Sequence, residues 1–188
     1  MNVYDFDKTI YTNDSTADFY LFCIKKKPSL ALTLFNTAFS AVKYYVFKIG
    51  SKTDFKQSMY RFLQKTDAEQ LAEEFWNLHI GGIKGFYLET HRDDDVVISA
   101  SPEFLLKPIC SRLGIKHLLA SEVDPKTGRY NGVNCHGVEK VRRFYMCFPN
   151  GKIEKFYSDS HSDDPLAEIA EKSFLVKGEK LLPWNQEK

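Results

Sequence analysis

Four short clusters of polar residues could do chemistry, and each follows a run of strand-like residues. The first is Asp5-Phe6-Asp7-Lys8-Thr9. Side chains alternate along a strand, so Asp5 and Asp7 would share one side if the strand continued. Two carboxylates that close repel each other, and a divalent cation between chain and ligand makes the pair favourable. The second cluster is Ser99-Ala100-Ser101, after Val96-Val97-Ile98. A hydroxyl there can hydrogen-bond a phosphate oxygen, and a helix beginning near Pro102 can add backbone N–H donors. Ser101 before Pro102 also fits an ordinary helix N-cap.

The third is Lys140 in Gly137-Val138-Glu139-Lys140-Val141. A lysine near a helix start opposes the local dipole, a cost that makes sense if it points at an anion; a surface lysine is the plainer reading. The fourth is Tyr157-Ser158-Asp159-Ser160-His161-Ser162-Asp163-Asp164-Pro165. Asp159 at a strand end and Asp163 in the loop are hard oxygen donors of the kind Mg²⁺ takes, and the same acids also suit a solvated turn. Asp164 before Pro165 reads as a helix cap, and His161 as a loop histidine.

These clusters need elements to hold them. The pattern predicts a first strand over 2–6, then helices near 15–26, 29–48, 53–64 and 67–79, punctuated by Pro28 and Gly50-Ser51. Gly81-Gly82 breaks that run. A helix near 83–91, a strand at 95–99, a helix from Pro102 to about Leu113 and a strand at 117–121 follow. Residues 124–130 read as a hairpin turn, 137–148 as a helix, 153–158 as a strand, 164–172 as a helix and 174–176 as a short strand. Alternating strands and helices argue for an α/β fold with a parallel sheet. The all-helical run between the first two strands is too long for a simple crossover. It reads as a helical cap, 14–80, inserted into a core made of 1–13 and 81–188.

Bulk properties bound the function. A chain of 188 residues with 43% apolar content suits one domain carrying an insert. The net charge of +1 gives no electrostatic argument for nucleic acid. Cys23, Cys110, Cys135 and Cys147 form neither a CxxC pair nor a zinc-spaced cluster and read as reduced thiols, hence a cytoplasmic location. The first residues carry no signal-peptide pattern. Residues 29–49 are rich in Leu, Phe, Ala, Val and Tyr but include Lys43 and Lys48, so they read as a helix with a wide apolar face and not as a membrane span.

All four clusters fall just after strands in one order. In this the chain resembles the haloacid dehalogenase superfamily, whose signature is DxDx(T/V), an apolar strand ending in Ser/Thr, a Lys and an acidic motif. The residues carrying the likeness are Asp5-Phe6-Asp7-Lys8-Thr9, Ser99, Lys140 and Asp159 to Asp163. The helical insert is similar to that of the phosphoserine phosphatase-like subfamily IB. Ser99-Ala100-Ser101-Pro102 and Tyr157-Ser158-Asp159-Ser160 look closest to a branch with uncharacterised hydrolases and a phosphatidylglycerophosphate phosphatase.

The resemblance implies a Rossmann-like parallel sheet and a Mg²⁺-dependent phosphomonoester phosphatase. By it, Asp5 is the nucleophile that forms an aspartyl-phosphate, and Asp7 is the general acid and base. Ser99, Ala100 and Lys140 bind the phosphoryl group. Asp5, Asp7 through its backbone carbonyl, and Asp159 hold Mg²⁺, with Asp163 in support. Asp14 and Tyr60 are the cap candidates for substrate specificity. Tyr60 stands where a phosphoserine-binding Arg is expected and Arg61 is one residue off, which disfavours phosphoserine. Two alternatives stay open: a phosphotransferase or mutase on the same scaffold, and a lipid-phosphate phosphatase. In the second, residues 25–49 would touch a membrane surface, against packing inside the cap or in a dimer. The implied partner is a small phosphomonoester; oligomeric state is not legible.

Overall fold

A computed structural model describes residues 1–32 and 60–185. Six strands form one sheet in the order β3-β2-β1-β4-β5-β6. They are β1 (Asn2–Tyr4), β2 (Val96–Pro102), β3 (His117–Ser121), β4 (Ile153–Ser158), β5 (Ala170–Lys177) and β6 (Lys180–Pro183). The first five run parallel, and β6 turns back antiparallel on β5. This is the α/β architecture expected. The described helices are α1 (Ser15–Lys26), α2 (Ala68–His79), α3 (Gly85–Thr90), α4 (Glu103–Arg112), α5 (Val138–Cys147) and α6 (Asp164–Ala167).

Both faces of the sheet are covered, and the period of two along each strand sorts residues between them. Tyr4, Val97, Tyr157 and Val176 enter one apolar cluster with residues of α1, α2 and α4. Val3, Val96, Ile98, Phe156 and Leu175 enter a second with Phe144 of α5 and Leu166 of α6. Asp5 continues the parity of Val3, so it faces the side that α5 covers.

Helices α1 and α2 form for the same local reasons. Asp14 and Asp67 are N-caps that accept from Ala17 N and Gln70 N, and each helix buries residues at i, i+4, i+7 and i+8. These are Ser15, Phe19, Phe22 and Cys23 in α1, and Ala68, Ala72, Phe75 and Trp76 in α2. Both helices lie within 14–80, yet their aromatic faces share one cluster with Leu105, Leu106 and Ile109 of α4. Trp76 Nε1 donates to the Leu105 carbonyl at 2.6 Å.

Several expected boundaries differ. The helix expected over 164–172 ends at Ala167, and the strand expected over 174–176 begins at Ala170. Ala-Glu-Lys content favours helix locally, but residues 170–177 complete the ladder on β4, pairing Ile153 with Ala170 and Lys155 with Lys172. Strand β6, absent from the sequence reading, pairs Leu182 with Leu175. Strand β2 runs on to Pro102 through an irregularity after Ile98, so Ser101 lies in a strand and caps no helix. The helix expected near 83–91 is shorter, because Ile83 pairs with Tyr11 across the two connecting segments. Tyr60–Lys65 is a 3₁₀ segment. Of the helix expected over 29–48, only its start is described, and Pro28–Ala31 there is a 3₁₀ segment; residues 33–48, the 53–59 part of the next helix, and most of the proposed membrane-facing stretch 25–49 lie outside the described residues. Among the described residues no helix is long and apolar enough to cross a membrane.

Candidate active site

The chain leaves β1 through a single tight turn. Phe6 O accepts from Thr9, Ile10 and Tyr11 N–H, and Lys8 adopts φ 57. Lys8 is the one non-glycine residue in that left-handed region among the described residues. Such a conformation costs roughly 1–2 kcal/mol, which the surrounding contacts must offset. The turn places both acids beyond the carboxyl end of the sheet, where parallel α/β sheets bind ligands.

Asp5 is nearly buried. Its Oδ1 accepts from Lys140 Nζ at 2.7 Å, and the same ammonium donates to Asp163 Oδ2 at 2.7 Å. Ser158 Oγ donates to that Asp163 oxygen at 2.8 Å, while Asp163 Oδ1 is buried with no partner among the described residues. Lys140 reaches the pair because α5 buries Lys140 and Phe144, one turn apart, against the sheet. The neighbouring carboxylates hold the Lys140 pKa above its ordinary value, against the effect of burial, so it stays a cation. Burial pushes the Asp5 carboxyl up to about 7, Lys140 opposes this, and Asp163 and Asp7 add to it.

Asp7 is tethered on both oxygens, to Ser15 N–H at 2.7 Å and Ser101 Oγ at 2.5 Å. Burial, with the charge of Asp14, raises its pKa, and the two serines oppose the rise. The sequence did not single out Ser15, and it offered Ser101 only as a phosphate-binding or capping hydroxyl, so neither contact to Asp7 was expected. Both are hydroxyl residues next to helix starts, where capping is the usual explanation.

A cavity of about 160 Å³ opens onto these groups. Asp5, Asp7, Ala100, Lys140, Asp159 and Asp163 line it together, with Asp14 at its edge. Lys8, His136 and Ser162 line it too and were not singled out; His136 lies in the loop just before α5. Ser99 stays behind Ala100, nearly fully buried, with its Oγ accepting from Ser101 N–H at 3.1 Å. Ser99, expected to bind phosphate, is absent from the cavity lining.

Tyr60 is placed differently from expectation. It is buried and absent from the cavity lining, and its ring crosses Tyr130 at 5.9 Å. The 124–130 turn holds it there. Gly128, at φ 71, comes so close that a Cβ would sit 2.2 Å from the Tyr60 carbonyl. Arg61 beside it is exposed.

The acids suit a cation. No three His, Cys, Asp or Glu side chains among the described residues form a metal-holding group. The expected set needs only two carboxylates, Asp5 and Asp159, plus the Asp7 carbonyl. The unpartnered Asp163 Oδ1 fits a place for a bound water or cation neighbour, and all-oxygen donors favour a hard divalent ion.

The family model described as haloacid dehalogenase-like hydrolase matches residues 3–168. A histidinol-phosphatase of Neisseria meningitidis serogroup C (strain 8013) is 26% identical, and the match covers 61% of this chain. The chain spans about 61% of the length of that curated relative. A solved protein of unknown function from Bordetella pertussis Tohama I superimposes with a TM-score of 0.76 at 20% identity, covering 93% of this chain and 88% of that one. A phosphoserine phosphohydrolase-like protein from Francisella tularensis subsp. tularensis SCHU S4 gives 0.58 at 18% identity, covering 93% and 87%. At these identities the structural likeness speaks to the fold alone.

Proposed function

The chain belongs to the haloacid dehalogenase-like hydrolase family, and from that premise we propose that it is a Mg²⁺-dependent phosphomonoester phosphatase working through an aspartyl-phosphate on Asp5. The observation that carries this reading is the buried Lys140 ammonium, held 2.7 Å from both Asp5 and Asp163 and lining the cavity. A cation so placed is too costly to bury for packing alone, and it lies where a phosphoryl oxygen would need positive charge.

Asp5 attacks phosphorus in line and releases the alkoxide. Asp7 gives that oxygen a proton, a role that burial favours by raising its pKa. The Ser101 hydroxyl, now on Asp7, can rotate away as the leaving group arrives. Asp7 then takes a proton from water, which attacks phosphorus and frees Asp5. Lys140, the Ser99 hydroxyl and the Ala100 backbone stabilise the charge spread over the phosphoryl oxygens. Asp163 holds Lys140 in place. Mg²⁺, held by the Asp5 carboxylate, the Asp7 carbonyl and Asp159, would supply charge neutralisation between Asp5 and an anionic substrate.

Residues 14–80 are the proposed cap, leaving and re-entering at the crossing where Thr12 N–H donates to Gly82 O. Asp14 lines the cavity and can pair an amine on the leaving group. With a histidinol-phosphatase among the relatives, phosphorylated amino alcohols come first in the screen. The four free cysteines fit the cytoplasmic location proposed for this enzyme. The test is phosphate release with Mg²⁺ from phosphorylated amino alcohols, amino acids, sugars, nucleotides and lipids. Asp5→Asn abolishes turnover in a folded protein if the reading holds. Turnover that survives that change, or that ignores chelation, would sink it.

A further inference from the structure

We propose that Lys84 is a positioning residue: its buried ammonium holds the left-handed turn at Lys8 that aims Asp5 and Asp7 into the cavity. The inference deepens the catalytic reading above and rests on it for its kinetic consequence.

Lysine is almost never fully buried unless paired with an acid. Lys84 is only 3% exposed, yet no described residue forms an ion pair with it. Its Nζ donates to the carbonyl of Lys8. Burial lowers its pKa, and Glu179 and Asp159 oppose this only through their fields. A buried cation spent on one backbone carbonyl makes physical sense where that carbonyl belongs to a strained turn. Lys8 is that turn, with its own N–H donating to Asn13 O at 3.0 Å. Removing the ammonium would leave the Lys8 carbonyl without its donor, and the strain at φ 57 would have less to oppose it.

The backbone of Lys84 is anchored as well. Its N–H donates to Ile10 O at 2.8 Å, beside the Tyr11–Ile83 bridge and the Thr12–Gly82 hydrogen bond. Lys84 therefore grips the outgoing segment at Ile10 with its backbone and the acid-bearing turn with its side chain. Any shift of the returning segment around Gly82 is delivered to Lys8, the residue next to Asp7.

The test compares the parent chain with Lys84→Met, which keeps the apolar stem and loses the donor, and with Lys84→Arg. Two readouts are taken: kcat and KM for p-nitrophenyl phosphate with Mg²⁺, and amide exchange at residues 8–13. Lys84→Met is expected to lower kcat roughly 10- to 100-fold, the scale of a small misplacement of reacting groups, with KM little changed. Exchange at 8–13 should quicken while β4 and α5 keep their protection. Lys84→Arg should recover much of kcat. Parental kcat and parental exchange in Lys84→Met overturn the proposal, as does a loss of protection spread evenly over the molecule. If Lys84→Met does not fold, Lys84→Gln decides by the same readouts. If the parent releases no phosphate, the nucleophile assignment fails, and exchange at 8–13 still decides whether Lys84 holds the turn.

Discussion

Asp5 and Asp95 stand at opposite ends of two neighbouring parallel strands, Asp5 just past the end of β1 and Asp95 just before the start of β2. Both are buried, at 8% and 1% exposure. Burial is the largest cause of a raised pKa in each. Neither property separates a reacting acid from a structural one. Their partners do. Asp5 meets a buried lysine and a cavity. Asp95 accepts from the Arg92 N–H at 2.7 Å; among the described residues its other oxygen accepts no hydrogen bond, lies 4.0 Å from Nε of the half-exposed Arg92 guanidinium and has no cavity beside it. Asn2 Oδ1 and the Tyr87 hydroxyl, from the same end of the sheet, are also buried and unpartnered. One end holds a buried ammonium and opens onto a cavity; the other meets only a half-exposed guanidinium and is closed. A perturbed acid becomes a functional candidate only with a specific charge partner and room for a ligand.

The sharpest way to break this comparison is to remove each charge in turn. Asp5→Asn should lower phosphate release by about 10⁴-fold or more, the scale of losing a nucleophile, while Asp95→Asn stays within a few-fold of the parent. An amide can still accept from Arg92 N–H, so Asp95→Asn should fold. Steady-state kinetics on both variants decide it, and equal losses would erase the distinction.

A smaller effect tests the charge balance itself. Lys140→Met leaves Asp5 and Asp163 facing each other without their cation. Breaking a buried pair this way should cost about 3 kcal/mol of stability, read by urea denaturation at neutral pH. A midpoint equal to the parent's would mean that the lysine contributes nothing to holding the acids.

The last test is of pH dependence, and the part of it that Asp95→Asn removes is the smallest change expected. Asp5, at about 7 when folded, binds its proton more tightly than in the unfolded chain, where carboxylates titrate near ~4. The native state therefore holds more protons between these values, so stability falls as pH rises through that window and levels off above it. Asp95 contributes with the same sign, because its pKa is raised too. Denaturation between pH 4 and 8 in EDTA should show that slope, and Asp95→Asn should flatten part of it. A slope unchanged in Asp95→Asn would show that Asp95 titrates normally.

Much of the framework was legible because its signals are local. Asp14 and Asp67 announce α1 and α2 as caps, the apolar run at 96–98 announces a buried strand, and Ile153, Phe156 and Tyr157 announce another. The turn at 124–130 was legible from its Asp-Pro and Gly, and the bridge from Val123 to Tyr130 closes it. Residues 174–176 were read as a strand but 170–172 were not, because their local helix preference loses to a ladder with β4 that no short window contains. Tyr60 was misplaced for a related reason: sequence spacing says nothing of the turn at Gly128 that buries it.

By itself, then, the sequence determined which residues stand at strand ends, since strand period and turn chemistry are written in neighbouring residues. It also set the order of Asp5, Ser99, Lys140 and Asp159 along the chain. Only the tertiary structure decided which of them meet. Lys140 reaches Asp5 across 135 positions because α5 packs on the face that Val3 and Asp5 share. Ser101 turns to Asp7 because β2 runs past Ile98 without ending. Lys84 arrives beneath Lys8 because the chain re-enters beside the segment by which it left. Such meetings depend on packing between distant segments, and no local pattern encodes them.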